Sequence, residues 1–308
     1  MLKKIILARH HGFCMGVKRA INIADDTAHS ASENEPVTIL NEIVHNEAVV
    51  DRFHRKGVGR AFSVAEVGQG TLIISAHGVA PDVKASAEAK GLTVVDATCP
   101  LVTRIYDIIT RVVANGYHII HFGEKNHDET IGVVGYAPDD ITVVSTEDEL
   151  LALPDWKDRK LGMTVQTTAH LSTFETVEKL AATKWPQIRV FNTICDATTK
   201  RQSAVLDLAP KVDMILVVGS RTSANSKRLA LISDAICGRG LLIGSAADIL
   251  PEWFTNSDVS TVGISAGAST PEFLVEEVIQ RLVDLSGDTA EVILPEKKRR
   301  SRAETNPA

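Results

Sequence analysis

Residues 83–105 read VKASAEAKGLTVVDATCPLVTRI, and this stretch shows the unit from which the fold is built. A helix-like segment stops at Gly91, because glycine readily adopts the left-handed conformation that ends helices. The apolar, β-branched run LTVV follows, which is typical of a buried strand. The chain then enters a second helix-like segment at Cys99. The stretch therefore predicts a helix, a strand and a second helix in succession.

The same alternation runs along most of the chain. Short β-branched runs separated by longer helical patterns are typical of parallel sheets whose strands are joined by crossover helices. The runs are, in order, TLIIS, LTVVDA, YHIIHFG, ITVVS, KLGMTV, IRVFN, MILVVG, GLLIGS and STVGIS. Two more helix-like segments end in glycine before the next strand, in VANGYHII and CGRGLLIG. We therefore predict an α/β fold with mainly parallel sheets.

Three of the four cysteines occupy the same kind of position, where a strand-like run ends and a helix-like segment begins. They are Cys14 in IILARHHGFCMGV, Cys99 in LTVVDATCPLV and Cys195 in IRVFNTICDATT. A helix N-terminus presents unpaired N–H groups and the positive end of the helix dipole, which lowers the pKa of a thiol and favours the thiolate that binds metal. We expect the three thiolates to converge on one iron–sulfur cluster. Three ligands on a cubane would leave one iron open to substrate.

The length of 308 residues predicts two or three domains. Placing the cysteines on the α/β pattern suggests three consecutive α/β domains arranged around the central cluster. They are residues 10–98 with Cys14, residues 99–194 with Cys99, and residues 195–285 with Cys195. We expect the strand within residues 1–9 to join the third domain. The polar and basic tail, residues 286–308, is predicted to be disordered.

Composition and charge narrow the class of protein. Hydrophobic residues make up 44% of the chain, charged residues 23%, and the net charge is −6, without the basic excess of a nucleic-acid binder. The apolar run near the N-terminus is interrupted at His10 and His11, before a signal-peptide core or a membrane span can form. Four cysteines in so long a chain do not form a disulfide framework. We expect a cytoplasmic monomer or homodimer with no nucleic-acid or membrane partner.

Polar side chains follow several of the strand-like runs. In open α/β sheets, ligands bind outside the carboxyl ends of the strands, so these side chains are candidates as a group. The candidates are His45, His77, His127, Glu129, Thr167, Thr168, Ser223, Asn225 and Ser269. Each histidine taken alone is equally well explained as a hydrogen-bonded structural residue.

Nine sequence motifs occur in a fixed order from about residue 5 to residue 285. They are HGFCMGV, EIVHN, SAHGV, DATCPLV, His127-Asp128-Glu129, TVQTT, TICDATTKRQ, GSRTSANSKRL and AGASTPE. Together they resemble the family of 4-hydroxy-3-methylbut-2-enyl diphosphate reductases, also called the IspH or LytB family. The resemblance implies a two-electron reductive dehydroxylation of that allylic diphosphate to isopentenyl and dimethylallyl diphosphate, the last step of the non-mevalonate isoprenoid pathway.

The resemblance also implies a role for each candidate side chain. Cys14, Cys99 and Cys195 hold a [4Fe-4S] cluster whose fourth iron is open to the substrate hydroxyl as a Lewis acid. Glu129, with Thr167 nearby, handles the proton that lets the hydroxyl leave as water. The substrate is bound by His45, His77, His127, Thr167, Thr168, Ser223, Asn225 and Ser269. Because the sequence has no flavin or nicotinamide motif, a ferredoxin or flavodoxin is expected to supply the electrons singly.

The sequence departs from the family pattern at several positions. The departures are His10-His11 in place of Pro-Arg, Ile131 in place of the second acidic residue of HPEVEGT, Asp196 in place of an aromatic residue, and Ala224 in place of a second diphosphate-binding serine. The motif reads HDETIGV in this chain and keeps Glu129. An alternative to the reductase is therefore a divergent paralogue that senses oxidants or binds a diphosphate without turnover.

Zinc is the main alternative ligand for the cysteines, because three cysteines and a histidine make an ordinary structural zinc site. Such sites usually use closely spaced pairs, which this sequence lacks. The fourth cysteine, Cys237, lies inside RLALISDAICGRG near a helix end and has no strand-end context. We interpret it as a structural residue.

Overall fold

The computed structural model describes residues 2–32, 34–255 and 258–296, and within them the chain forms three separate parallel sheets flanked by helices. The strands are β1 (Lys4–Leu7), β2 (Val37–Leu40), β3 (Gly59–Ala61), β4 (Thr71–Ile74), β5 (Thr93–Asp96), β6 (Tyr117–Phe122), β7 (Ile141–Val144), β8 (Lys160–Val165), β9 (Arg189–Val190), β10 (Met214–Val218), β11 (Gly240–Ile243), β12 (Thr261–Ala266) and β13 (Glu291–Ile293). The helices are α1 (Met15–Ser30), α2 (Glu47–Arg55), α3 (Pro81–Ala89), α4 (Pro100–Val113), α5 (Asp128–Val134), α6 (Glu147–Ala152), α7 (Leu171–Lys184), α8 (Asp196–Leu208), α9 (Ala224–Cys237) and α10 (Glu272–Leu285). In these ranges no helix has the length and apolar content needed to cross a membrane.

The first two sheets share one plan. The first sheet has the strand order β3-β2-β4-β5 and the second has the order β7-β6-β8-β9. All neighbouring strands in both are parallel. Five of the six residues of β6 are buried, because helices cover both faces of a parallel sheet. The prediction of an α/β fold with mainly parallel sheets is confirmed.

The third sheet is built from both ends of the chain. Its order is β11-β10-β12-β1-β13, again with parallel neighbours throughout. Strand β1 lies between β12 and β13, so that Lys4 faces Thr261 on one side and Glu291 on the other. All five residues of β10 are buried, which explains its uninterrupted apolar sequence, MILVV. The N-terminal strand therefore belongs to the third sheet.

The prediction of a disordered segment from residue 286 is wrong for part of that segment. Residues 291–293 form β13, and the N–H of Glu291 donates to the carbonyl oxygen of Lys3 at 2.9 Å. Strand β1 would otherwise leave a row of backbone groups unpaired at the sheet edge. Residues 297–308, the most basic part of the tail, lie outside the described residues. The domain boundaries at residues 99 and 195 stay a prediction.

Three glycines return the chain from a helix to the next strand. The φ angles of Gly91, Gly116 and Gly238 are +79°, +76° and +70°. Only glycine adopts such left-handed values without strain. At Gly238 the backbone N–H also donates to the carbonyl oxygen of Asp234 at 2.8 Å and closes the end of α9. The helix-stop signals in the sequence are therefore used as predicted.

Candidate active site

The three cysteines that were predicted to bind metal each cap the N-terminus of a helix. Cys14 precedes α1, Cys99 precedes α4 and Cys195 precedes α8. Their backbone N–H groups each donate, at 3.0 Å, to a carbonyl oxygen two residues past the end of a strand, which are those of Ala268, Ala76 and Thr167 respectively. The N–H of Val17 donates to Sγ of Cys14 at 3.4 Å, and the N–H of Thr198 donates to Sγ of Cys195 at 3.3 Å. The strand ends therefore fix the positions of the thiols.

Gly16, the second residue of α1, lies where two of the thiols come together. A Cβ atom on Gly16 would stand 2.5 Å from Sγ of Cys99 and 3.9 Å from Sγ of Cys14, so a side chain has no room there. Burial raises the pKa of the Cys99 thiol, and the charges of Cys14 and Cys195 raise it further. The charge of one sulfur affects the pKa of another only when the two sulfurs are a short distance apart. The fold therefore brings the three sulfurs into one space.

Burial reverses the expected direction of two thiol pKa shifts. Burial raises the pKa of Cys195, although the hydroxyl and N–H of Thr198 act to lower it. The expectation that a helix N-terminus lowers the thiol pKa is therefore wrong for Cys99 and Cys195, since desolvation outweighs the backbone hydrogen bonds. A metal centre removes this conflict, because the metal cation replaces the proton on each sulfur.

The spacing of the thiols distinguishes a cluster from a single ion. Tetrahedral zinc, with Zn–S bonds of about 2.3 Å, holds its sulfurs about 3.8 Å apart. Among the described residues, which include all three cysteines, the three sulfurs do not all lie within 4.8 Å of one another. A cubane places each cysteine on a different iron and so needs a wider spacing. The arrangement therefore fits an iron–sulfur cluster better than zinc.

Glu129 is a buried carboxyl group at the start of α5, with only 2% of its surface exposed. Its Oε1 accepts a hydrogen bond from the N–H of Thr167 at 2.6 Å, and its Oε2 accepts one from the Thr167 hydroxyl at 2.5 Å. Burial raises the pKa of Glu129 to about 7, although both hydrogen bonds act to lower it. At neutral pH this carboxyl group is therefore able to give and take a proton.

The hydroxyl of the neighbouring Thr168 takes part in a hydrogen bond within the protein. It accepts a hydrogen bond from Nε2 of Gln166 at 3.1 Å, and the Thr168 residue is half-buried. Its predicted contact with substrate stays a prediction.

Three histidines from two sheets form one cluster of rings. His45 and His77 follow β2 and β4 of the first sheet, and His127 caps α5 beyond β6 of the second sheet. The rings of His45 and His77 are stacked with centroids 4.1 Å apart. The His127 ring meets both edge-on, with centroids 5.3 Å from His45 and 5.7 Å from His77. The fold therefore brings together the three histidines that the sequence proposed.

Two of these histidines are neutral. Burial, aided by the neighbouring rings, holds the pKa of His77 well below its ordinary value and lowers the pKa of His127 to about 4. Nδ1 of His127 accepts the backbone N–H of Glu129 at 3.1 Å, which leaves its Nε2 as an N–H donor. His127 therefore presents a neutral hydrogen-bond donor that an anion can use.

Asp128 lies in the same cluster, although nothing in the sequence marked it as a candidate. Its Oδ2 lies 3.9 Å from Nε2 of His45 and 3.8 Å from Nδ1 of His77, a set of donor atoms that resembles a metal site. A metal ion lies in the plane of each imidazole that binds it, and two rings stacked at 19° do not aim their nitrogens at one point. The cluster therefore fits an anion better than a cation, with Asp128 opposing the anion's charge.

The N-terminus of α9 supplies polar groups from the third sheet. Ser223 caps this helix and accepts the N–H of Ser226 at 3.3 Å. Asn225 is 4% exposed, and among the described residues its Nδ2 has no hydrogen-bond partner, so it is a buried donor available to a ligand. The hydroxyl of Ser269 donates to the carbonyl oxygen of His45 at 2.8 Å. Ser269 therefore ties the end of β12 to the histidine cluster.

Lys227 is a candidate that the sequence reasoning missed. It lines an open cavity of about 610 Å³ together with His45, His127 and Asp128. Its charge helps to lower the pKa of His127, and it forms a long ion pair of 3.7 Å with Glu124. Lys227 lies one turn beyond Ser223 in the motif SANSKRL. This spacing would have identified Lys227 as a candidate if the motif had been interpreted as a helix.

Two of the departures from the family pattern lie at exposed positions. Ile131 is 55% exposed on α5, two residues beyond the buried Glu129. Asp196, the first residue of α8, is also exposed. Neither change alters the hydrogen bonds between Glu129 and Thr167.

Comparison with known proteins gives a match along almost the whole chain. The family model described as LytB protein matches residues 5–283. The chain belongs to the LytB family. The resemblance inferred from the nine motifs is thereby confirmed, and membership of the LytB family implies an iron–sulfur cluster.

Two relatives in the LytB family are named 4-hydroxy-3-methylbut-2-enyl diphosphate reductase. The one from Bacillus subtilis (strain 168) is 39% identical over 306 residues, which cover 96% of each chain. The one from Methylibium petroleiphilum is 42% identical over 283 residues, which cover 90% of this chain and 84% of the relative.

Two solved structures are also similar. The E-1-hydroxy-2-methyl-but-2-enyl-4-diphosphate reductase of Plasmodium falciparum has a TM-score of 0.90 and 29% identity, and the match covers 97% of this chain and 94% of that one. A structure of (E)-4-hydroxy-3-methyl-but-2-enyl diphosphate reductase, described as the terminal enzyme of the non-mevalonate pathway, has a TM-score of 0.66 and 36% identity. That match covers 92% of this chain and 100% of the other.

A Gly16→Ala substitution tests the convergence of the thiols. The added methyl group would stand 2.5 Å from Sγ of Cys99, so we expect the iron and sulfide content after anaerobic reconstitution to fall several-fold. Gly68→Ala is the matched control, because a Cβ on Gly68 meets no atom within 4 Å. Equal iron content in the two variants would show that the sulfurs do not meet at Gly16.

Proposed function

We propose that this chain reduces 4-hydroxy-3-methylbut-2-enyl diphosphate to isopentenyl and dimethylallyl diphosphate. The reaction adds two electrons and two protons, breaks the allylic C–O bond and releases water. It requires an electron site, an anion site and a proton donor close to both. The relatives' names support this assignment, and the positions of the side chains support the division of roles.

The position of Glu129 is the observation that carries the proposal. Thr167 bonds the Glu129 carboxyl group through its N–H and hydroxyl, and its carbonyl oxygen accepts the backbone N–H of Cys195, so the carboxyl group lies beside the cysteine site. The backbone N–H of Glu129 is bonded to His127, so the same residue also adjoins the histidine cluster. A carboxyl group with a pKa of about 7 thus stands between the two sites that the reaction needs.

The diphosphate is proposed to bind among His45, His77, His127 and the N-terminus of α9. Neutral imidazole N–H groups, the unpartnered Nδ2 of Asn225 and the unpaired N–H groups of a helix N-terminus are suitable donors for phosphate oxygens. Lys227 adds a positive charge at the edge of this site. These groups orient the substrate so that its hydroxyl end points toward Glu129.

Thr167 is proposed to pass the proton from Glu129 to the leaving oxygen. The Thr167 hydroxyl lies 2.5 Å from Oε2 of Glu129, so a proton on the carboxyl group can move through that hydroxyl. When bound by Cys14, Cys99 and Cys195, a [4Fe-4S] cluster supplies electrons one at a time and offers one open iron as a Lewis acid. Protonation lets the hydroxyl leave as water.

The proposal includes a partner that delivers single electrons, a ferredoxin or a flavodoxin. It also includes a reducing compartment, the cytoplasm, because thiolates that hold a cluster must stay reduced.

The assignment is tested by anaerobic reconstitution with iron and sulfide, followed by assay with the allylic diphosphate and a one-electron reductant. We expect both C5 diphosphate products in the parent protein and loss of iron and products in Cys99→Ser. Cys237→Ser is the control, since Cys237 lies at the end of α9 and its thiol donates to the carbonyl oxygen of Ser233 at 3.1 Å. A cluster-loaded parent that forms no product would favour the non-catalytic alternative, and uptake of zinc alone would overturn the cluster.

A Glu129→Gln substitution should keep the cluster and lower kcat by about 10²- to 10⁴-fold, because glutamine cannot donate the proton. In the parent enzyme, the carboxyl group is protonated below its pKa of about 7, so kcat should fall as pH rises above that value. Glu175→Gln, an exposed change on α7, is the control. Parent-like turnover of the Glu129 variant would remove this residue from proton transfer.

An Asp128→Asn substitution should lower KM for the diphosphate about fivefold, because it removes roughly 1 kcal/mol of charge repulsion. The carboxylate lies within 3.9 Å of His45 and 3.8 Å of His77, where the anion is proposed to bind. Asp82→Asn is the control, since it also removes a carboxylate from the first turn of a helix, α3. An unchanged KM in the Asp128 variant would place the diphosphate elsewhere.

A further inference from the structure

Arg201 is a buried cation on α8 that the mechanism does not use. It is 5% exposed, and its buried Nε has no hydrogen-bond partner in the part of the chain that the structure describes. Its Nη1 donates to the carbonyl oxygen of Ala197 at 2.8 Å, and its Nη2 donates to the carbonyl oxygen of Gly12. Within the described residues it forms no ion pair with a carboxylate. In that part of the chain, no acidic side chain therefore pairs directly with the guanidinium group.

The two carbonyl groups place the guanidinium between two of the cysteines. Gly12 lies two residues before Cys14, and Ala197 lies two residues after Cys195. The negative charges of Cys14 and Cys195 raise the pKa of Arg201, against the lowering effect of burial. Arg201 therefore lies close enough to both sulfurs to interact with them electrostatically.

A buried charge is strongly unfavourable unless an opposite charge or a metal compensates it. The two carbonyl oxygens accept hydrogen bonds from Nη1 and Nη2 of Arg201, but carbonyl groups carry no net charge. The thiolates of Cys14 and Cys195, with the cluster they are proposed to bind, are the anionic centre that the geometry provides. The cation also stabilises the sulfurs, since a fixed positive charge offsets the repulsion among three partly buried thiolates.

We propose that Arg201 is the fixed counter-charge of the iron–sulfur cluster and raises its reduction potential. Reduction adds one negative charge to the cluster, and a nearby cation in a low-dielectric site stabilises the reduced form more than the oxidised form. Arg201 acts through the cluster, so it is a positioning residue. The inference rests on the proposed cluster, and it is independent of the substrate and of Glu129.

Arg19 provides a matched comparison on α1. Its Nη1 donates to the carbonyl oxygen of Thr98 at 3.0 Å, next to Cys99, so it too bonds a carbonyl beside a cluster cysteine. Unlike Arg201, Arg19 is exposed. Water and salt screen an exposed charge, so its removal should affect the cluster far less.

The test compares Arg201→Met, Arg201→Gln, Arg201→Lys and Arg19→Met, each reconstituted anaerobically. Iron and sulfide content is measured, and the midpoint potential of the cluster is determined by redox titration followed by electron paramagnetic resonance. For the Met and Gln variants of Arg201, we expect a more negative midpoint. At the parent midpoint their ratio of reduced to oxidised cluster should fall at least tenfold, which is about 59 mV for a one-electron couple. The midpoint potential of the Lys variant should lie nearer to that of the parent. Arg19→Met should have the same midpoint potential as the parent.

Each outcome decides the role of Arg201. A cluster-loaded Met or Gln variant with the parent's midpoint potential would overturn the proposal. If the Met and Gln variants lose the cluster while the Lys variant still takes it up, the proposal is supported, because lysine shares the positive charge of arginine. Loss of the cluster in all three would show that Arg201 only ties two loops together, and the counter-charge role would be wrong. A parent protein that binds no cluster would instead contradict the proposed function.

Discussion

Three partly buried thiols at the junction of three sheets are the constraint on which the rest of the structure depends. Burial raises the pKa of Cys99 and Cys195, so holding these sulfurs as thiolates requires positive charge nearby. The N-termini of α1, α4 and α8 supply part of it, the guanidinium of Arg201 supplies more, and a bound metal centre would supply the remainder. The helices α1, α4 and α8 begin at this junction, and each of them links one sheet to another.

Burial has opposite chemical effects on the acid and on the bases of the site. It raises the pKa of Glu129 to about 7 and lowers the pKa of His127 to about 4, so near neutral pH His127 is uncharged and Glu129 exchanges between its neutral and charged forms. A substrate with a charged diphosphate and a neutral hydroxyl end fits such a site, because the hydrogen-bond donors need no counter-ions of their own. Asp128 is the exception, since its carboxylate faces the stacked rings of His45 and His77.

The parts of the site that local sequence determines could be predicted. Cysteines, histidines and Glu129 follow apolar runs, and a parallel sheet brings strand ends together. Gly16 and Arg201 could not be found in that way, because their roles depend on contacts between distant segments; Arg201 bonds a carbonyl 189 residues away. Lys227 was missed although its place in SANSKRL was a local signal. Strand β13 was missed because it has two exposed residues and one half-buried residue, with no apolar alternation, and it forms only because β1 offers a free edge.

The placement of β1 has a consequence for the order in which the protein matures. Strand β1 is made first by the ribosome, but its partners β12 and β13 are made last. Cys14 depends on the same late segment, since its backbone N–H is bonded to the carbonyl oxygen of Ala268. The first two sheets can fold during synthesis, whereas the Cys14 loop acquires its final position only when the chain is nearly complete. A nascent chain stalled before residue 261 would therefore contain all three cysteines but would lack the segment that positions Cys14.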